Sequence, residues 1–326
     1  MSENKIVMVN SFKGGSGKTS IALGLCVADS YKTAFKEDKI GTYKIRKIIY
    51  IDIDILGTAV EYSVFKIQDN IKYMEIDKEF PCNKILFPYL DGQCTFDAYL
   101  LNPANRNATS YVASLNRRSN SGSLEPIFFE KLITFIKELV DKEENFFIIL
   151  DCSPGLSDYE KLLIEKIHSL KKETSSKFDF CECFITTIDA SHIEKTISSM
   201  KHVCEMKVNL DERDILLIVN DLSNISNFAV KTDVGKEIDE EKYCENLCSY
   251  IHKKICDNFK SDKEKKQMEE HIRVEYNKYS PELVKSNLLF LTENTEAKNL
   301  LRLETNPDTY NLYKIHEKVM KSAKNT

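Results

Sequence analysis

The stretch "VNSFKGGSGKTS" (residues 9–20) brings lysines, glycines and hydroxyl side chains together as an anion-binding loop requires. Its end, Gly17-Lys18-Thr19, matches the close of the phosphate-loop pattern G-x-x-x-x-G-K-[ST]. Its start does not. The position of the first glycine holds Phe12, and Gly14 and Gly15 follow a second lysine, Lys13. Gly14, Gly15 and Gly17 remove side chains, so loop N–H groups, that of Ser16 included, can turn toward an anion. Lys18 is spaced to reach the β- and γ-phosphates of ATP, Thr19 to offer its hydroxyl to Mg²⁺, and Ser20 to bond the α-phosphate. Lys13 cannot share the place of Lys18, because like charges at close range repel. It is suited instead to a phosphate bound by another subunit.

Such a loop works only between a strand and a helix. The apolar run at residues 5–10 supplies the strand, and "TSIALGLCVADS" continues as a helix whose N-terminus adds partial positive charge. Further apolar runs lie at residues 47–54, 146–151, 181–187, 214–221 and 288–292. They are nearly continuous in Val, Ile, Leu and Phe, the pattern of strands covered on both faces. Helical stretches at 19–31, 125–141, 158–172, 191–205, 237–259 and 263–276 separate them. This alternation predicts an α/β, doubly wound, mostly parallel sheet with helices on both faces. Asp52, Asp54, Asp151 and Asn220 then fall at strand ends, where open α/β sheets bind ligands. Residues 68–123 read as irregular, and a charged helical insertion is expected over about 222–282 within a single domain spanning 1–326.

The loop resembles the deviant Walker A motif, K-G-G-x-G-K-[ST], of the ParA/MinD family of ATPases, which does not require glycine at the position of Phe12. The resemblance extends to "IYIDIDILGTA", similar to the family's Asp-x-Asp strand, and to "FFIILDCSPGLSD", similar to its Asp-x-x-Pro Walker B strand. It departs at Ile55-Leu56, where ParA proteins typically carry Pro-Gln. The resemblance implies that Lys13 reaches across an ATP-sandwich homodimer, that Asp54 positions the attacking water, that Asp52 lies near the metal and that Asp151 holds Mg²⁺. It also implies that Asn220 bonds adenine and that "TFDAYLL" (residues 95–101) begins a helix. The activity implied is slow Mg-dependent ATP hydrolysis used as a switch, in DNA or plasmid partition or cargo positioning, with an activating protein partner. Three alternatives stand beside it: a binding module that holds ATP without hydrolysing it, as the missing Pro-Gln suggests, a MinD-like regulator that recruits proteins without DNA, and a phosphotransfer enzyme of the bacterial tyrosine-kinase type. Tyr310 and Tyr313 match the tyrosine cluster of the last poorly.

Composition bounds these readings. A formal net charge of −5 means that any non-specific DNA binding must use a local patch. Arg117-Arg118 and the run Lys260, Lys263, Lys265, Lys266 and Arg273 are the candidates, although acidic residues interleave the run as on a solvated helix face. Ten cysteines without a C-x-x-C pair, no apolar signal region and no run of about 18 apolar residues predict a cytoplasmic protein with reduced thiols. Cys244, Cys248, His252 and Cys256 recur every four residues. Core packing is expected of them, with a metal stripe as the alternative. Asp158 is expected to cap a helix, and the weakly amphipathic C-terminal stretch to pack on the domain rather than on a membrane.

Overall fold

The computed structural model describes residues 4–36, 46–54, 72–74, 79–86, 95–101, 127–143, 145–156, 158–175, 177–206, 208–221, 240–259, 261–277 and 311–321. The described strands are β1 (Lys5–Ser11), β2 (Lys47–Ile53), β3 (Tyr73–Met74), β4 (Asn83–Leu86), β5 (Thr95–Leu101), β6 (Phe146–Pro154), β7 (Asp179–Thr187), β8 (Ile215–Asn220) and β9 (Ile272–Asn277). The described helices are α1 (Lys18–Lys36), α2 (Ile127–Lys142), α3 (Asp158–Glu173), α4 (Ala190–Cys204), α5 (Glu240–Cys256), α6 (Asp262–His271) and α7 (Asn311–Met320).

The strands form one sheet in the order β3-β5-β2-β6-β1-β7-β8-β9, with β4 antiparallel on β5 and the other pairings parallel. Every residue of β1 and β8 is buried, as a central strand covered on both faces requires. Alternate side chains face opposite layers. Val7, Val9, Ile48, Tyr50, Phe147 and Ile149 meet α1 and the buried Ile315 and Val319 of α7. Ile6, Met8, Ile49, Ile51, Ile148 and Leu150 meet α2 and α3, while Leu217 and Val219 meet α4, α5 and α6. The chain crosses from β1 to β2 on one side, and from β6 over to β7 on the other. The direction reverses at β1, so a crevice opens at its carboxyl end, beside the loop.

Local chemistry fixes several helix starts. Asp189 caps α4 by accepting from the N–H groups of Ser191 and His192. Ser261 and Glu264 form a capping box on α6. Asp158 stands as the first residue of α3 and pairs with Lys161 at 3.0 Å.

Three expectations change. Residues 95–101 form strand β5, not a helix start: Phe96, Ala98 and Leu100 face α1 while Tyr99 faces the opposite layer, a period of two. With β3 and β4, this strand places regular structure inside a stretch read as irregular. The helix over 263–276 stops at His271, and "IRVEYN" becomes strand β9, the outermost of the described strands beside β8. Ile272, Val274 and Tyr276 pack toward α5 and α6, whereas Arg273 pairs with Asp214 at 2.7 Å and Glu275 with Lys318 at 2.9 Å. The charged block therefore returns a strand to the sheet. The expected strand at 288–292, Ile55-Leu56, Arg117-Arg118, Lys260 and Tyr310 lie outside the described residues.

The cysteine stripe packs inward. Cys244 and Cys256 are buried, Ile251 and Ile255 lie in the core beside them, and His252 bonds the Ile272 carbonyl at 3.1 Å. Cys152 is fully buried against the α2–α3 layer. Lys263 and Lys266 are exposed, and Lys265 pairs with Asp257 at 3.6 Å. Among the described residues no helix is long and apolar enough to cross a membrane.

Candidate functional site

The loop leaves β1 through Phe12, which continues the strand's alternation and points into the core. Its ring stacks on Phe184 of β7 with centroids 5.2 Å apart and planes 1° apart. The residue that breaks the usual pattern thus anchors the loop base. Ser11 reinforces it: its hydroxyl donates to the Lys13 carbonyl at 3.1 Å, and its own carbonyl accepts from the Gly155 N–H at 2.6 Å. Gly15 (φ +77°) and Gly17 (φ +83°) hold the left-handed backbone that favours glycine. A Cβ added at Gly14 or Gly15 would meet nothing within 4 Å, so the space above the loop is open. The Ile21 N–H then bonds the Gly17 carbonyl at 3.0 Å and α1 begins. The N–H groups of its first turn have no intrahelical acceptors and suit an anion.

Opposite the loop, the period of two in β2 puts Tyr50, Asp52 and Asp54 on the α1 face. Asp151 of β6 lies in register with Asp52. The Lys18 ammonium sits among them, 2.8 Å from Asp151 Oδ1, 3.4 Å from Asp54 Oδ2 and 3.5 Å from Thr19 Oγ1. Burial opposes its charge, but Asp151 and Asp54 outweigh burial and hold the lysine above its ordinary pKa. Asp52 accepts from the Asp54 N–H at 2.9 Å. Burial and the Asp151 charge nonetheless push Asp52 well above the usual carboxylate range. Tyr50 donates to Asp151 Oδ2 at 2.8 Å; burial and the same aspartate push its phenol up, so it remains a donor.

The oxygens of Asp54, Asp151 and Thr19 surround one cationic point. Hard carboxylate and hydroxyl oxygens are what Mg²⁺ accepts. Among the described residues no group of three His, Cys, Asp or Glu side chains forms a cage by itself. That suits an ion bound by one or two carboxylates together with hydroxyl, water and phosphate oxygens. The donor set fits Mg²⁺.

The structure thus brings Lys18, Thr19, Asp52, Asp54 and Asp151 together beneath the loop. It does not bring Lys13 to them. Lys13 is exposed and donates to Ser191 Oγ at 3.0 Å, at the N-terminus of α4. Asn220 is buried behind the loop: its Nδ2 donates to the Ser16 carbonyl at 3.0 Å, and its Oδ1 accepts from Asn277 at 2.7 Å. Ser20 is half-buried in the first turn of α1. Tyr50 and Asn277 were not singled out from the sequence. A hydroxyl within the apolar run Ile48–Ile51, two residues before Asp52, is a signal for Tyr50, since buried tyrosine hydroxyls find partners. Asn277 gives none without knowledge of β9.

The fold is similar to that of two solved structures. A ParA family ATPase from Chlorobium tepidum TLS is similar over 97% of this chain and 98% of its own, with TM-score 0.50 and 12% identity. The MinC:MinD cell division protein complex from Aquifex aeolicus is similar over 97% of this chain and 95% of that one, with TM-score 0.51 and 13% identity. No protein-family model and no curated protein matches the sequence.

Proposed function

We propose that the chain is a Mg²⁺-dependent ATPase that dimerises on ATP and uses slow hydrolysis as a switch for DNA partition or cargo positioning. The observation that carries this reading is Lys18, held at the head of α1 by Asp151 and Asp54 beneath an open glycine loop. Loop amides and the α1 N-terminus bind the phosphates of ATP. Lys18 exchanges its carboxylate partners for β- and γ-phosphate oxygens, which frees Asp54 to orient a water. Thr19 and Asp151 would hold Mg²⁺, with Asp52 near it. Mg²⁺, when bound, neutralises charge on the transferring phosphate. Lys13, exposed at the loop, reaches the nucleotide of a second subunit. Asn220 and Asn277 support the loop from behind through Ser16.

The net charge of −5 favours a second reading of the output, in which the ATP-bound dimer recruits a protein partner without DNA.

The test combines ATP turnover, size-exclusion chromatography and binding to non-specific duplex DNA at one stated salt concentration, with ATP, ADP or neither. Lys18→Ala should lower nucleotide affinity about a hundredfold, the loss of charge-assisted phosphate bonds. Asp54→Ala should bind ATP without turning it over. Lys13→Ala should bind ATP yet remain monomeric. An ATP-dependent dimer of Lys13→Ala would refute the role of that lysine, and turnover unchanged in Asp54→Ala would refute that of the aspartate. ATP-dependent DNA binding selects partition; a dimer without DNA binding selects the protein partner.

A further inference from the structure

The Tyr50 side chain is fully buried on the α1 face of β2, edge-on to Phe96 with centroids 6.3 Å apart. Its ring accounts for the packing. Its hydroxyl is an addition that an apolar layer tolerates only when bonded. That bond goes to Asp151 Oδ2 at 2.8 Å, while Lys18 takes Oδ1 at the same distance. Asp151 is itself fully buried, so its two oxygens are divided between one fixed donor on a strand and one donor on the loop helix.

We infer that Tyr50 is a positioning residue: it sets the rotation of the Asp151 carboxylate so that Oδ1 faces Lys18 and the loop. The inference rests on the ATPase reading above. The terminal torsion of an aspartate is broad and two-fold, so a carboxylate with a single mobile partner does not hold one orientation. When Lys18 turns to phosphate, Tyr50 is the donor that stays. Asp151 then keeps its orientation through Tyr50, and Oδ1, released by Lys18, would be the oxygen available to a metal. Ile48, two residues earlier on the same strand face, shows the contrast: it packs in the same layer with an apolar side chain that has no hydroxyl to donate.

Tyr50→Phe removes the hydroxyl and keeps the ring. The experiment measures binding of N-methylanthraniloyl-ATP in EDTA and across a Mg²⁺ titration, with thermal melts alongside, in the parent, Tyr50→Phe and Ile48→Val. In Tyr50→Phe the affinity in EDTA stays within about two-fold of the parent, while half-saturating Mg²⁺ rises about ten-fold, the worth of one hydrogen bond to a charged group. The kcat falls, with KM for ATP at saturating Mg²⁺ little changed. Ile48→Val lowers the melting temperature and leaves the Mg²⁺ midpoint alone. A Tyr50→Phe protein with the parental Mg²⁺ midpoint overturns the inference and leaves the ATPase reading standing. A parent protein that binds the probe identically in EDTA and Mg²⁺ overturns both.

Discussion

Around Lys18, the carboxylates of Asp54 and Asp151 converge on one cation, with Asp52 bonded to the Asp54 N–H; around Glu182, an arginine and a histidine converge on one anion. Both clusters are buried in the same sheet. Glu182 of β7 receives Arg213 Nε at 2.8 Å and Arg213 Nη2 on its other oxygen, and lies 3.0 Å from His168 Nε2. Arg213 Nη1 continues to the Val203 carbonyl at 2.5 Å. Burial would raise the Glu182 carboxyl, but Arg213 and the hydrogen bonds overcome it and bring the pKa down to about 2. That cluster compensates its own charge and closes on the α3–α4 layer. The Lys18 cluster carries more acid than base, opens on the loop, and contains Asp52, which burial and Asp151 push the other way. A balanced buried cluster is a structural device. An unbalanced one at strand ends is suited to a cation and a phosphate that are not part of the chain.

The largest way to break this comparison is Arg213→Ala. It leaves Glu182 buried with its main partner gone, and should cost about 3–5 kcal/mol in urea denaturation. A loss under about 1 kcal/mol would mean that the cluster is dispensable. Acid gives the next effect. Glu182 titrates near 2 in the folded chain against an ordinary value of 4.5. Its folded-state pKa is depressed, so its contribution is fully present above about pH 4.5 and is lost as pH falls toward 2. It should amount to about 3 kcal/mol. Urea midpoints at pH 5 and pH 2.5, compared between the parent and Glu182→Gln, measure it; parallel acid sensitivity in both proteins would refute it.

Asp52→Asn sharpens the contrast with a smaller effect of opposite sense. Replacing a carboxylate crowded by Asp151 and Asp54 should leave stability unchanged or raise it by up to about 1 kcal/mol, while ATP turnover falls. A loss as large as that of Arg213→Ala would make the two clusters alike. Smallest of all, Lys13→Ala should leave the melting temperature within about 2 °C of the parent, because its bond to Ser191 joins exposed groups. A larger fall in a calorimetric scan would give Lys13 a folding role that the loop does not require.

Much of this was legible in the chain. The apolar runs of β1, β2, β6, β7 and β8 identify central strands, because strands covered on both faces must be continuously apolar. The spacing of the glycines, Lys18 and Thr19 points to a phosphate loop, and the resemblance to the ParA/MinD family adds the expected roles of Asp52, Asp54 and Asp151. What failed lies away from the centre of the sheet. "TFDAYLL" and "IRVEYN" alternate polar and apolar residues and adjoin helical or irregular sequence, so local pattern does not separate strand from helix there. Only the neighbouring strand decides, β2 for β5 and β8 for β9, by offering an unpaired edge.

Sequence by itself determined the class of fold and the chemical cast of the site, because period and residue type are local properties. Tertiary structure decided the pairings. It turned Phe12 into an anchor on Phe184, bonded Asn220 to the Ser16 carbonyl, and set Tyr50 on Asp151 across two strands. Those contacts join positions far apart in the chain, and strand order and register bring them within hydrogen-bonding reach.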